Sequence, residues 1–411
     1  MNEDERFEDI IKRFEAMLQT NENIFFDLED FLDIVDEYIT LGNFNMAAKA
    51  IDIALQQYPQ NIDLLLFRAE LYSFNDQVDK AESLLFELKK MAPERIEIPM
   101  LEAELYSRKN KHKKAINALL EALQFDEADQ AEIYEIMTVE YLYLEDYRSA
   151  LKTSLKTLEI DATSSTALYN AITCYDLLNE TDKAILFLEQ HVEKQPFSEV
   201  AWSLLAKKYI DKAQYKKAIK ALDYAIAIDD HFLGAYYDKA YAYTQVKQYD
   251  KALECYKQTL KIADPTAFTY FHIAKNYQML DDLDNAIHYY FKAIEEDPGY
   301  YKSWIELILI KLKQKQIDDA LSLTLRALEV INNQDLFGIL GKIYVLKEQP
   351  MKAIAALEMN LKLGTPSLNT ILQLADLYKQ QNMIEEYRKI LLYAKKQFPD
   401  SKEIKKRMLE Q

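Results

Sequence analysis

The residues of this 411-residue chain that could do chemistry are five histidines, two cysteines and many carboxylates. His112, His191, His231, His272 and His288 show no HExxH or other metal-ligand spacing. His272 and His288 are close enough in sequence to approach each other, but on type and spacing they read as surface or groove histidines. Cys174 and Cys255 form neither a disulfide framework nor a zinc pattern, and read as free buried thiols of a reducing cytoplasm. No GxSxG, Walker A or GxGxxG segment occurs. The carboxylates read as surface residues whose pairings follow from abundance. No catalytic residue, cofactor or metal is expected, and the chain reads as a non-enzyme.

Charge says more than motif. Asp and Glu number 68 against 50 Lys and Arg, a net charge of -18. Residues 1–164 hold 35 acids and 17 bases, leaving 33 of the 68 and 33 of the 50 for residues 165–411. The whole net charge therefore lies in the first two-fifths. An acidic surface repels nucleic-acid phosphates and anionic lipid, and attracts basic proteins. It also keeps a protein soluble, and composition alone does not choose between the two roles. No run of about 18 apolar residues is present, which argues against a membrane span. The start MNEDERFEDI lacks the basic stretch and apolar core of a secretory signal. A cytoplasmic location is expected.

What positions these side chains is a repeat. Tyr38, Tyr72, Tyr106, Tyr141, Tyr175, Tyr209, Tyr243, Tyr277, Tyr344 and Tyr378 recur every 34 residues, with one step of 35 and one skipped beat at Lys311. Nine residues after each comes an alanine, from Ala47 to Ala353, with Tyr387 breaking the pattern at the end. A fixed period of this size is one supersecondary unit stacked on copies of itself. In the stretch from Leu28 to Asn61, Phe31, Ile34, Val35 and Tyr38 make one helical face. A polar turn follows at Gly42 and Asn43. Phe44, Ala47, Ala48, Ile51, Ala54 and Leu55 make a second face, and Tyr58-Pro59 closes the unit. The same alignment gives eleven units, starting near Leu28, Ile62, Ile96, Ala131, Ser165, Glu199, Leu233, Ala267, Tyr301, Gln334 and Leu368. Small residues such as Ala69, Ala206, Gly341 and Ala375 hold the eighth position, where a leucine would overpack by about 1–3 kcal/mol.

The large–small–Tyr–Ala–aromatic–Ala–Pro pattern resembles the tetratricopeptide repeat family, over residues 28–401. The resemblance implies an all-α fold, a right-handed superhelix of antiparallel helix pairs. Ahead of it, Phe7, Ile10, Ile11, Phe14, Met17 and Leu18 predict an N-terminal amphipathic helix within 1–27, a cap on the first repeat or else a docking helix. Residues 402–411 read as a polar C-terminal cap with Ile404 and Leu409 as its apolar contacts. Unit nine, with Lys311 and one residue fewer, reads as a drifted repeat or a local change of pitch.

The resemblance also implies that the first helix of each unit lines a groove, mainly through positions 2, 5, 9, 12 and 13. The early groove then holds Glu29, Asp36, Asp63, Glu70, Glu97, Glu104, Glu132 and Glu135. The middle holds Tyr169, Thr173, Ser203, Lys207, Tyr237, Tyr241, Phe271, Lys275 and Gln278. The late groove holds Lys302, Lys313, Lys342, Asn369 and Asp376. No lysine occupies a fifth position, so the carboxylate clamp of the chaperone-binding members is not expected. The expected function is a protein-interaction adaptor. A basic partner stretch would meet the acidic early groove, and Tyr237, Tyr241 and Phe271 would form an exposed aromatic anchor site. A self-assembling solenoid is the alternative, and an RNA-reading repeat is disfavoured by the acidic charge.

Overall fold

The computed structural model describes residues 3–20 and 25–409. Residues 1–2, 21–24 and 410–411, parts of the two expected caps, lie outside the described residues. The described residues form 24 helices and no strand, an all-α repeat solenoid. None of these helices is long and apolar enough to cross a membrane. The chain divides into two compact units, Met1–Ala201 and Trp202–Gln411, called unit 1 and unit 2 below.

Each repeat is a first helix, a turn and a second helix, as in Leu28–Thr40 followed by Phe44–Gln57. The turn is the same everywhere. Its fifteenth position is left-handed in every repeat: Gly42, Asp76, Asn110, Glu145, Asn179, Ala213, Lys247, Asp281, Lys315, Glu348 and Asn382, with φ between 55° and 69°. The next N–H bonds back to the carbonyl at position eleven, from Asn43 to Tyr38 (2.7 Å) through to Met383 to Tyr378 (2.9 Å). This is the long bond of a Schellman helix end. The beat tyrosines thus terminate the first helix with their carbonyls. Lys311 does the same for Gln316 at 2.9 Å, so the skipped beat changes a side chain and keeps the turn.

The tyrosine rings do separate work. Tyr38, Tyr175, Tyr209 and Tyr378 are buried and the rest half-buried. In five repeats the lysine eight residues later lies over the ring, as in Lys80 on Tyr72 and Lys352 on Tyr344, at 5.0–5.6 Å. Each such contact is worth roughly 0.5–1 kcal/mol at an exposed site. The alanines nine after the beat, Ala320 behind Lys311 included, are all fully buried. Close helix approach explains the small eighth position. At Gly341 an added Cβ would fall 2.5 Å from Cδ2 of Leu357.

Changes of repeat length fall between repeats. The linker before Gln334 is three residues, 331–333, where most are four. The extra residue of the third repeat, which starts near Ile96, lies in the linker between Ala122 and Gln130. Pro99 sits in the first turn of Glu97–Arg108, where it breaks no helical bond. Helix Glu3–Thr20 sets Ile10, Phe14 and Met17 into one core with Phe26, Phe31 and Tyr38. At the other end Ile404 is buried and Met408 packs beside it, four residues on. Leu409, expected as a contact, is 88% exposed, because it follows Met408 around the helix and leaves that face.

Candidate functional site

In unit 1 the ninth positions of successive repeats line up. Burial, then the charges of Glu104 and Asp36, push the Glu70 carboxyl above the usual carboxylate range, with Arg108 opposing. Arg108 is already engaged. It donates to Glu104 at 2.6 Å and to the Ser73 carbonyl at 3.2 Å, and lies 4.6 Å over Phe74. Phe74 in turn stacks on Phe44 at 5.0 Å. Arg95 bridges Asp63 and Glu97, each at 2.8 Å, and this hydrogen bonding holds the Glu97 carboxyl low. The acidic row therefore persists beside cations that are taken. Glu135 stands apart from the Glu70–Glu104 row and accepts a hydrogen bond from Ser164. Tyr169 and Thr173 are exposed, with no side-chain partner among the described residues.

In unit 2 the fifth positions turn toward the neighbouring repeat and pack there. Tyr237 is half-buried, hydrogen-bonds Thr269 through its hydroxyl at 2.6 Å, and meets Phe268 edge-on at 5.7 Å. Phe271 is half-buried against Tyr290 (5.8 Å) and Tyr300 (5.4 Å). Of the three aromatics expected to be exposed, only Tyr241 is, at 42%. Lys275 is tied to Glu306 at 2.5 Å, which Gln278 also contacts, so it is no free cation. Lys207 is exposed and opposes the rise of the Asp238 carboxyl, which burial pushes up. In the late stretch Arg407, on the terminal helix Lys402–Leu409, closes over Asp376 at 2.5 Å.

Several residues escaped the sequence reading. Phe268, 46% exposed, holds a second position and was within reach of the repeat register. Asp238 and His272 hold sixth positions, outside the positions considered. Tyr256 belongs to a second helix, Tyr249–Ile262, where no groove register points. Burial, then the charge of Lys302, pulls the His272 imidazole down to about 4. His272 and His288, which could have approached each other, make no ring contact with each other among the described residues. His272 contacts Tyr256, Phe268 and Phe271, while His288 meets Tyr289. His191 is buried, not superficial, because it lies on the packing face of Thr181–Lys194. Glu140 corrects the view that every carboxylate is superficial. It is 2% exposed and is held by His112 (2.8 Å) and Ser107 (2.6 Å) at an inward tenth position. The one metal-like group among the described residues, Asp229, Asp230 and His231, is a linker whose members already bond one another.

This geometry is that of a helical-repeat scaffold. A tetratricopeptide repeat model matches residues 38–105, and a second matches 233–265 and 269–300, the second starting on the first residue of a repeat. The matched segments are tetratricopeptide repeats, the repeats of protein-interaction scaffolds. Solved structures similar to it include MamA, 25% identical with 39% of this chain and 95% of that chain covered, at a TM-score of 0.36. The Cut9–Hcn1 tetramer of the APC/C is 13% identical, covers 97% of each chain and scores 0.38. YrrB, described as having an unusual peptide-binding site, is 17% identical over 45% of this chain and 95% of its own, at 0.36. No curated protein matches the chain in sequence.

Proposed function

We propose that the chain is an adaptor whose two units each hold a stretch of partner protein on the face of their first helices. Unit 1 takes a basic stretch, and unit 2 takes an aromatic or large apolar anchor at Tyr241 and Phe268. The observation that carries this reading is the row Asp36–Glu70–Glu104. Burial, then the charges of Glu104 and Asp36, raise the Glu70 carboxyl, and the nearby Arg95 and Arg108 are already engaged. An incoming arginine or lysine would relieve that repulsion. Glu135, Tyr169 and Thr173 extend the face, and Lys207 borders the anchor region. A cytoplasmic setting is part of the proposal, supported by two buried free thiols, Cys174 and Cys255.

Fluorescence anisotropy with a labelled oligo-arginine peptide tests the acidic half. Binding should be strong at low salt and fall steeply as salt rises. Salt-independent binding would sink this half. For the anchor half, affinity capture from lysate is compared between the natural chain and a Tyr241→Ala/Phe268→Ala variant. Retention of every partner by the variant would remove the anchor.

A further inference from the structure

Three polar groups stand together in unit 2 without side-chain hydrogen-bond partners among the described residues. Tyr256 is only 2% exposed, packs on Tyr237 at 6.1 Å and stacks on His272 at 5.5 Å and 18°. Its hydroxyl has no hydrogen-bond partner among the described residues, yet it is not sealed off from solvent. Asp238 and His272 occupy the sixth positions of successive repeats on either side of it. The charge of Asp238 acts on the Tyr256 phenol, and the His272 ring stacks on it. Both are half-buried, and neither the carboxylate nor a ring nitrogen has a hydrogen-bond partner among the described residues. Native proteins rarely leave adjacent withdrawn polar groups without something to bond.

Their chemistry is complementary to a peptide main chain. Asp238 accepts, Tyr256 donates, and a neutral His272 offers one donor and one acceptor. An extended segment presents N–H and C=O groups in alternation. Phe268 supplies an exposed ring beside them, 4.3 Å from the His272 ring. Lys207 faces Asp238 and Lys302 faces His272, and both lysines are exposed with no ion-pair partner among the described residues. Asp211 also acts on Asp238 but is paired with Lys208 at 2.9 Å, so the two free ammonium groups favour acidic side chains over basic ones.

We propose that Asp238, Tyr256 and His272 form one pocket that reads the main chain of an extended acidic peptide whose large apolar side chain lies on Phe268. This rests on the anchor reading of unit 2 and adds the groups that fix the register and charge of the bound segment.

The experiment uses the full chain and two fluorescent synthetic peptides with a central tryptophan, one flanked by glutamates and one by lysines. Anisotropy should show the glutamate peptide binding about tenfold tighter than the lysine peptide. Tyr256→Phe removes one oxygen and keeps the ring, so folding is preserved while affinity drops about fivefold. His272→Gln, which keeps hydrogen-bonding capacity, should retain affinity that His272→Leu loses. Unchanged affinity in Tyr256→Phe overturns the pocket. If Phe268→Ala then still abolishes binding, the anchor reading stands without it. Preference for the lysine peptide, or no binding of either, also overturns the proposal.

Discussion

Position ten of the repeat is buried and apolar in most repeats, and each unit places one buried charge there, of opposite sign. Unit 1 buries Glu140, matched by His112 and Ser107. Unit 2 buries Lys208, 3% exposed and paired with Asp211 at 2.9 Å. Two repeats further on it uses the neutral Asn276, bonded to Thr244 (3.1 Å) and to the His272 carbonyl (2.8 Å). The surfaces divide the same way. Residues 1–201 hold 41 acids and 19 bases, a net -22. The remaining 27 of the 68 acids and 31 of the 50 bases give residues 202–411 a net +4. The same turn and the same alanine contact thus carry two electrostatic surfaces. The difference shows that packing and charge are set by separate positions of one repeat.

The largest test of this contrast is inside. Glu140→Ala strands His112 and Ser107 and should cost about 3–5 kcal/mol in urea unfolding. Asn276→Ala removes only neutral bonds and should cost about 1–2 kcal/mol. Equal losses would erase the distinction. On the surface, an Asp36→Asn/Glu70→Gln/Glu104→Gln variant should bind oligo-arginine about 30-fold more weakly, on the order of 2 kcal/mol. The glutamate-flanked tryptophan peptide should be unaffected, and a loss of both would mean that the surfaces are not independent.

His272 offers a smaller, pH-dependent test in unit 2. Its ordinary value is 6.5, and in the fold it is about 4. Below pH 6.5 the unfolded chain takes up a proton that the folded chain refuses. Stability is therefore complete above 6.5 and declines as pH falls toward 4. The part owed to His272 is on the order of 2 kcal/mol after allowance for partial exposure. His272→Gln should flatten that part of the pH profile, and an unchanged slope would contradict the burial effect. Smallest is the turn. Gly42→Ala in unit 1 should lose about 1 kcal/mol and Lys247→Gly in unit 2 should gain a similar amount, because both sites are left-handed.

The scaffold was legible in the sequence because its signals are local and repeated. The tyrosine beat, the alanine nine residues later and the polar turn each recur many times, so a departure such as Lys311 does not break the phase. The site was legible only as far as the register of one helix. That register reaches Glu70, Glu104 and Tyr241. It gives Tyr237, Phe271 and Lys275 their positions but not their neighbours, which are Thr269, Tyr300 and Glu306. Those partners come from the next repeat, and whether a ring packs or projects depends on them. Tyr256 was hidden for the same reason, since its hydroxyl comes forward from a second helix. Glu140 and His112 were unreadable as a pair, because nothing in their spacing distinguishes a buried carboxylate from an exposed one.

The left-handed turn has a consequence for how such a chain changes over time. Glycine, aspartate, asparagine, glutamate, alanine and lysine all occupy it, and the bond that ends the helix belongs to a carbonyl. Mutation can therefore rewrite the side chains on either side of the joint while leaving the joint intact. The segments matched at 38–105, 233–265 and 269–300 are those whose side chains fit the family's pattern. Between them the repeat is kept by backbone geometry, which leaves its surfaces free to differ in charge, as those of the two units do.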